Sequence, residues 1–277
     1  MQTFETPGAV LVSVECASGD VVIDTHDAAT TEVDVRALRD DAATREAVEQ
    51  TRVELIPRGD GHEVAIAVPK RMGSFLGRDP KIRVEVRAPH GSDLTFVTAS
   101  ADVAARGRLG SVRGKTASGD VTVPDVAELK VESASGDLRV GDVDGDASLK
   151  TASGDIKAGR IGGRLDAAAV SGDVRVESAE SGGSASAVSG DIDLTAVTEG
   201  EVSVRTVSGD VTVGVREGAR VHVDVTTVTG DLKSDVPLDE APAEGASGPL
   251  VDVRGRTVSG DLRIRRAAPA GGLNRTV

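Results

Sequence analysis

The tripeptide Ser-Gly-Asp recurs at nearly fixed spacing along most of the chain, and no other feature restricts the fold so tightly. It occurs eight times, at Ser18–Asp20, Ser118–Asp120, Ser135–Asp137, Ser153–Asp155, Ser171–Asp173, Ser189–Asp191, Ser208–Asp210 and Ser259–Asp261. Thr229-Gly230-Asp231 is a ninth version, and Ser100-Ala101-Asp102 a worn tenth. From Asp102 to Asp210 the aspartates lie 18, 17, 18, 18, 18 and 19 residues apart, and the next two intervals stretch to 21 and 30. A constant period of this length marks stacked supersecondary units.

The apolar pattern repeats with the motif. An aliphatic residue follows each aspartate (Val121, Leu138, Ile156, Val174, Ile192, Val211), and a second often comes two positions later (Val123, Val140, Val176, Leu194, Val213). That alternation is a short strand with one buried face. A second alternating segment precedes the motif, as in Val202-Ser203-Val204-Arg205, and glycines such as Gly141, Gly162 and Gly182 mark the other turn. Each period reads strand, turn, strand, turn. Wrapped helically, such units form an all-β, single-chain β-solenoid of about 18 residues per coil. A sandwich of hairpins is the alternative, but sandwiches rarely hold so constant a period.

Composition agrees with a thin cross-section. Phe4, Phe75 and Phe96 are the only aromatic residues among 277, while hydrophobic residues make up 39%. Small and β-branched side chains therefore have to fill the interior. The expected organisation is an irregular N-terminal β region over 1–95, forming the first coils and a cap, then the regular solenoid over 96–266 and a disordered tail over 267–277. The N-terminal region has strand candidates at Val10–Glu15, Val21–Asp24, Thr31–Arg36, Arg52–Ile56, Glu63–Val68, Ile82–Arg87 and Asp93–Thr98. One helix is expected over Asp41–Gln50, with Asp41 as its N-cap. Asp235–Pro249, rich in Pro, Ala and Glu, reads as a loop extruded from the last coil.

Charge narrows the partners. A formal net charge of −13 disfavours nucleic acid and anionic membrane, both of which need a positive footprint. Cys16 is the only cysteine, so no intrachain disulfide forms. The first residues carry acids and no basic n-region, and no apolar run reaches the roughly 20 residues that span a bilayer. The expectation is a cytoplasmic protein without membrane insertion.

Few residues suggest chemistry. If the repeats stack, the motif aspartates form a ladder about 5 Å apart, each pair repelling by about 0.9 kcal/mol in water. Such carboxylates can tolerate the repulsion in solvent, accept bonds from turn N–H groups, or bind cations. Asp120, Asp137, Asp155, Asp173, Asp191 and Asp210 are therefore the candidates for a calcium ladder. The chain lacks the Gly-Gly-x-Gly-x-Asp pattern of calcium-binding solenoids, so turn formation is the preferred role. Thr116, Thr151, Thr206 and Thr257 predict a hydroxyl ladder bonded locally; Thr-x-Thr arrays of the ice-binding kind do not recur in register. His26, His62, His90 and His222 lack metal-ligand spacing, and no Walker sequence is present. Arg58-Gly59-Asp60 is accounted for as a turn between strands.

The repeated [ST]-[AV]-S-G-D-[VIL]-x-[VIL], the opening Gln2–Pro7 and the closing Val251–Ile264 resemble actinobacterial β-strand-repeat proteins. These form the "putative adhesin" or toast-rack family, domain of unknown function 4097. The likeness covers roughly residues 2–266, and the excess of Arg over Lys fits a high-GC genome. The resemblance implies a β-solenoid with no established enzymatic activity, no cofactor and no defined functional residues.

The reading that follows is a non-catalytic, intracellular β-solenoid: a scaffold or protein-interaction module with an unidentified protein partner, capable of homo-oligomerising through its ends. Two alternatives stand beside it. One is an adhesin-like binder of surface polymer or calcium through the Asp ladder. The other is a polysaccharide-active β-helix enzyme.

Overall fold

The computed structural model describes residues 1–59, 61–69, 80–236 and 248–267. The chain winds into a β-solenoid in which strands of successive coils pair in parallel and in register. One side of each coil is the strand before the motif, such as Val126–Ser133 or Ala147–Ser153. The other side is the strand after it, such as Leu138–Val140 or Ile156–Ile161. A third, narrow ladder runs through Val143, Ile161, Ala179, Val197 and Val215.

The alternation read from the sequence places one face of each strand inside. Leu129, Val131, Leu149 and Leu165 line one inner face, and Leu138, Ile156, Val174 and Ile192 the other, all buried. Columns along the axis balance volume, because coils are only one strand spacing apart and side chains at equivalent positions touch. Phe96 pairs in register with Gly114, and its ring fills the space a Cβ on Gly114 would need. A large ring is admitted here because its neighbour has no side chain.

Two segments expected as separate strands are one. Leu11–His26 runs unbroken through Ser18-Gly19-Asp20, and Asp93–Arg106 does the same through Ser100-Ala101-Asp102. The motif therefore bends an extended chain around a corner without closing a turn there. The helix is Ala42–Gln50, and Asp41 Oδ1 accepts the Thr44 N–H at 2.7 Å. That bond holds the Asp41 carboxyl below its ordinary range.

Chain order and spatial order part company at both ends. Leu11–His26 lies between the outer strands Gly61–Ala67 and Ile82–Pro89 on one side and Asp93–Arg106 on the other. The outermost N-terminal strands are themselves covered by antiparallel neighbours: Arg52–Arg58 on Gly61–Ala67, and Thr30–Ala37 on Ile82–Pro89. Antiparallel covering of this kind, with Pro57 in the edge strand, blunts a sheet edge against further pairing.

At the other end the C-terminal strand departs from chain order. Leu250–Ser259 sits between Gly200–Ser208 and Arg220–Thr229, so the last coil in sequence is the penultimate coil in space. The 30-residue interval is long because the chain must return from the outermost coil to fill the gap beneath it. Residues 237–247 of that connection, Asp60 of the Arg-Gly-Asp triplet and residues 268–277 of the expected tail lie outside the described residues.

Candidate functional site

The motif corners bring Asp120, Asp137, Asp155, Asp173, Asp191 and Asp210 into one column. Each carboxylate is used by the next coil. Asp120 Oδ1 accepts the backbone N–H of Asp137 at 3.0 Å, Asp137 that of Asp155 at 3.0 Å and Asp155 that of Asp173 at 3.1 Å. The chain of bonds continues from Asp191 to Asp173 at 2.9 Å and from Asp210 to Asp191 at 2.8 Å. Asp102 precedes it, and Asp261 and Asp231 extend it. The expected repulsion is thus offset by charge-assisted bonds to N–H groups that would otherwise be unpaired at a corner.

One carboxylate oxygen per coil remains. In the early coils cations take it: Arg139 bridges Asp120 and Asp137, and Lys157 lies 3.8 Å from Asp155. Asp173, Asp191 and Asp210 have no ion-pair partner among the described residues. No group of three or more His, Cys, Asp or Glu side chains is arranged to hold a metal ion among those residues.

The buried hydroxyls before the motif divide into three kinds: some cap a glycine, some are unpartnered, and Thr206 Oγ1 donates to the Gly190 carbonyl of the neighbouring coil at 3.5 Å. Thr116 Oγ1 accepts the Gly119 N–H at 3.0 Å, and Ser133 Oγ accepts the Gly136 N–H at 2.8 Å. The hydroxyls of Thr98, Thr151 and Thr257 are buried without a hydrogen-bond partner among the described residues. The motif glycine is fixed by close approach. A Cβ on Gly119, Gly136, Gly172, Gly190 or Gly209 would collide with a carbonyl oxygen of the coil beneath.

Two further aspartate positions make the same bond away from the motif and were not singled out from the sequence. Asp125 and Asp142, one coil apart, accept the backbone N–H groups of Asp142 and Arg160 at 3.2 and 2.9 Å, and in a separate column Asp146 accepts that of Arg164 at 2.8 Å. The one signal for the first pair in the sequence is its 17-residue spacing.

The remaining candidates are scattered. His26 and His90 bond to Thr30 and Thr25 near the N-terminal end, and His62 lines an open depression of about 560 Å³ with Arg58, Glu63, Asp93 and Arg113. Burial pushes the Cys16 thiol above its ordinary range. Among the described residues no helix is long and apolar enough to cross a membrane.

Comparison with known proteins adds the following. The family model described as Toastrack DUF4097 matches residues 12–265. No curated protein matches the chain. Among solved structures, a putative adhesin from Parabacteroides distasonis ATCC 8503 is 17% identical, with a TM-score of 0.49 and 95% of each chain covered. A putative adhesin from Bacteroides fragilis NCTC 9343 is 14% identical, with a TM-score of 0.45 and 95% of each chain covered. A putative lipid binding protein from Parabacteroides distasonis ATCC 8503 is 13% identical, with a TM-score of 0.43 and 95% of each chain covered.

Proposed function

The chain belongs to the Toastrack DUF4097 family, and from that premise we propose that it is a non-catalytic β-solenoid scaffold, a protein-interaction module acting through its outer faces. One observation carries this reading. The most repeated polar group of the chain, the motif carboxylate, is bonded to backbone N–H groups coil after coil. Groups committed to joining coils supply stiffness and a regular surface; a catalytic acid or base must instead be free to exchange its proton. The surface depressions support the same view, being shallow and bordered by charges such as Arg58 and Glu63 that pair with each other at 3.0 Å. A cytoplasmic setting is part of the proposal, and a lone cysteine, Cys16, is in keeping with it.

The test is a comparison of the full chain in calcium and in EDTA, read by light scattering on a sizing column and by thermal melting, beside the Asp173→Asn/Asp191→Asn variant. Asn keeps the Oδ1 acceptor and removes the charge. The scaffold reading expects the same mass and melting temperature in both buffers, for both proteins. A melting temperature that rises with calcium in the parent and not in the variant would replace it with the cation-ladder reading. Turnover of a polysaccharide would replace it with the enzymatic one.

A further inference from the structure

The residue three positions before each motif aspartate faces outward and stacks in a column of its own. In the early coils it is alanine: Ala117, Ala134 and Ala152. From the next coil on it is valine, in the spatial order Val170, Val188, Val207, Val258, Val228. These five valines are between 45% and 75% exposed. At one strand spacing per coil they form a continuous apolar ridge about 19 Å long. A lone exposed valine needs no explanation; five consecutive ones on one line of a highly charged chain do.

The ridge is bordered by unlike charges. Two residues upstream in the strand, and so on one flank, stand Arg205 and Arg256, in register with each other in adjacent coils and both exposed. Neither has an ion-pair partner among the described residues. On the other flank, at the corner, stand Asp173, Asp191 and Asp210, equally without a cation partner among the described residues. The surface thus carries a basic edge, an apolar ridge and an acidic edge, side by side and uncompensated within the chain.

We propose that this face binds a second copy of the same chain, ridge against ridge, about a twofold axis running along the ridge. Rotation about that axis reverses left and right and keeps the level of each coil. Arg205 of one copy then faces the uncompensated Asp210 of the other, Arg256 faces Asp261, which Lys233 of its own chain approaches at 3.4 Å, and each valine meets its own counterpart. Rotation about an axis across the ridge would instead set acidic edge against acidic edge and Arg205 against Arg205. Charge complementarity therefore selects the occupant and its orientation together. The two solenoids lie parallel and side by side, which differs from association through the coil ends. A ridge this short falls at the small end of specific interfaces, so the expected affinity is in the range of tens of micromolar. The inference stands apart from the scaffold reading, and its failure would leave that reading in place.

Sedimentation of the full chain from about 5 to 500 µM should show a monomer–dimer equilibrium in that range. Val207→Lys should keep the circular dichroism spectrum and melting temperature of the parent and remain monomeric. Arg205→Glu/Arg256→Glu should weaken association by about ten-fold or more, while raised salt weakens the parent. The axis is read by disulfide trapping. Val188→Cys and Val258→Cys should each cross-link to themselves, because equal levels meet. A parent that stays monomeric throughout the range overturns the proposal, as does dimerisation untouched by Val207→Lys. Trapping only in mixtures of Val188→Cys with Val258→Cys overturns the orientation. Binding of the monomer to anionic vesicles through the same valines would assign the ridge to a lipid surface and overturn the proposal too.

Discussion

The early coils over Leu109–Val140 and the late coils over Leu165–Val215 and Leu250–Arg266 carry the same motif and turn its corner differently. In the early coils the strands end at Thr116 and Ser133, whose hydroxyls accept the motif glycine N–H from within the same coil. In the late coils the strands Leu165–Ser171, Gly200–Ser208 and Leu250–Ser259 run on to the motif serine. There the glycine N–H reaches the next coil: Gly172 to the Ser189 carbonyl, Gly190 to Ser208 and Gly209 to Ser259, each at 3.1 Å. Gly172, Gly190 and Gly209 accordingly adopt φ of 149°, 155° and 145°. The alanine or valine before the motif serine does not track the difference: Ala147–Ser153 carries Ala152 and still runs on to Ser153, and its Gly154 N–H reaches the Ser171 carbonyl at 3.2 Å. What tracks it is the hydroxyl at the end of the strand. Where Thr116 or Ser133 accepts the glycine N–H the corner closes within its own coil, and where no hydroxyl does so the N–H is left to the coil above.

The largest effect that can break this comparison is at the glycine. Gly136→Ala and Gly190→Ala should each destabilise by more than about 3 kcal/mol, because either Cβ collides with a carbonyl oxygen of the coil beneath. Gly190 bears an added backbone penalty from its positive φ, which Gly136 lacks. Equilibrium denaturation of the two variants ranks the causes. Comparable losses identify close approach as the reason for glycine. A mild loss at Gly136 beside a severe one at Gly190 would make backbone conformation the reason, and the two corners would then be different devices.

The hydroxyls give an intermediate effect that sharpens the same contrast. Thr116→Val leaves the buried Gly119 N–H without its acceptor and should cost about 1–2 kcal/mol. Thr151 is buried without a partner among the described residues, so Thr151→Val should stay within about 0.5 kcal/mol of the parent or exceed it. Thermal melting of both variants checks the pair. Equal losses would mean that the hydroxyl in the early coils does not act as a cap.

Much of this was legible in the sequence because a solenoid writes its period into the chain. The parallel coils, the inward aliphatic columns and the aspartate column follow from spacings of 17 to 19 residues, and the helix from its Asp41 cap and the helix formers after it. What spacing does not encode is which coil lies against which. The insertion of Leu250–Ser259 beneath Arg220–Thr229 left only two long intervals, and an extruded loop explains those equally well on sequence grounds. The role of the motif carboxylate was visible as one of three options, and its choice required seeing the next coil's N–H in front of it. The valine ridge was in plain view in the [AV] position of the motif. It carried no meaning until register showed the valines to be neighbours with unpaired charges on either flank.

The smallest effect concerns acid, and it tests the column at its late end. Asp261 accepts the Asp231 N–H at 2.9 Å and faces Lys233 at 3.4 Å. The backbone bond first, and Lys233 after it, hold its carboxyl below the ordinary range. Asp166 is held low as well: burial raises it, but its bonds to Lys150 and Ser184 outweigh that. A carboxyl depressed in the folded state contributes stability that is present above its unfolded value near 3.9 and lost as pH falls through the folded one. The melting temperature should therefore hold through neutral pH and decline below about pH 4, as these groups take up protons. Asp261→Asn keeps the oxygen that accepts the Asp231 N–H and removes the proton-binding charge. It should lower the neutral melting temperature slightly, by what the charge contributed there, and flatten the acid decline. A variant whose acid decline matches the parent's would mean that the last bond of the column draws nothing from the carboxylate charge. The N–H acceptor alone would then join the outermost coil to its neighbour, as the hydroxyl does inside the early coils.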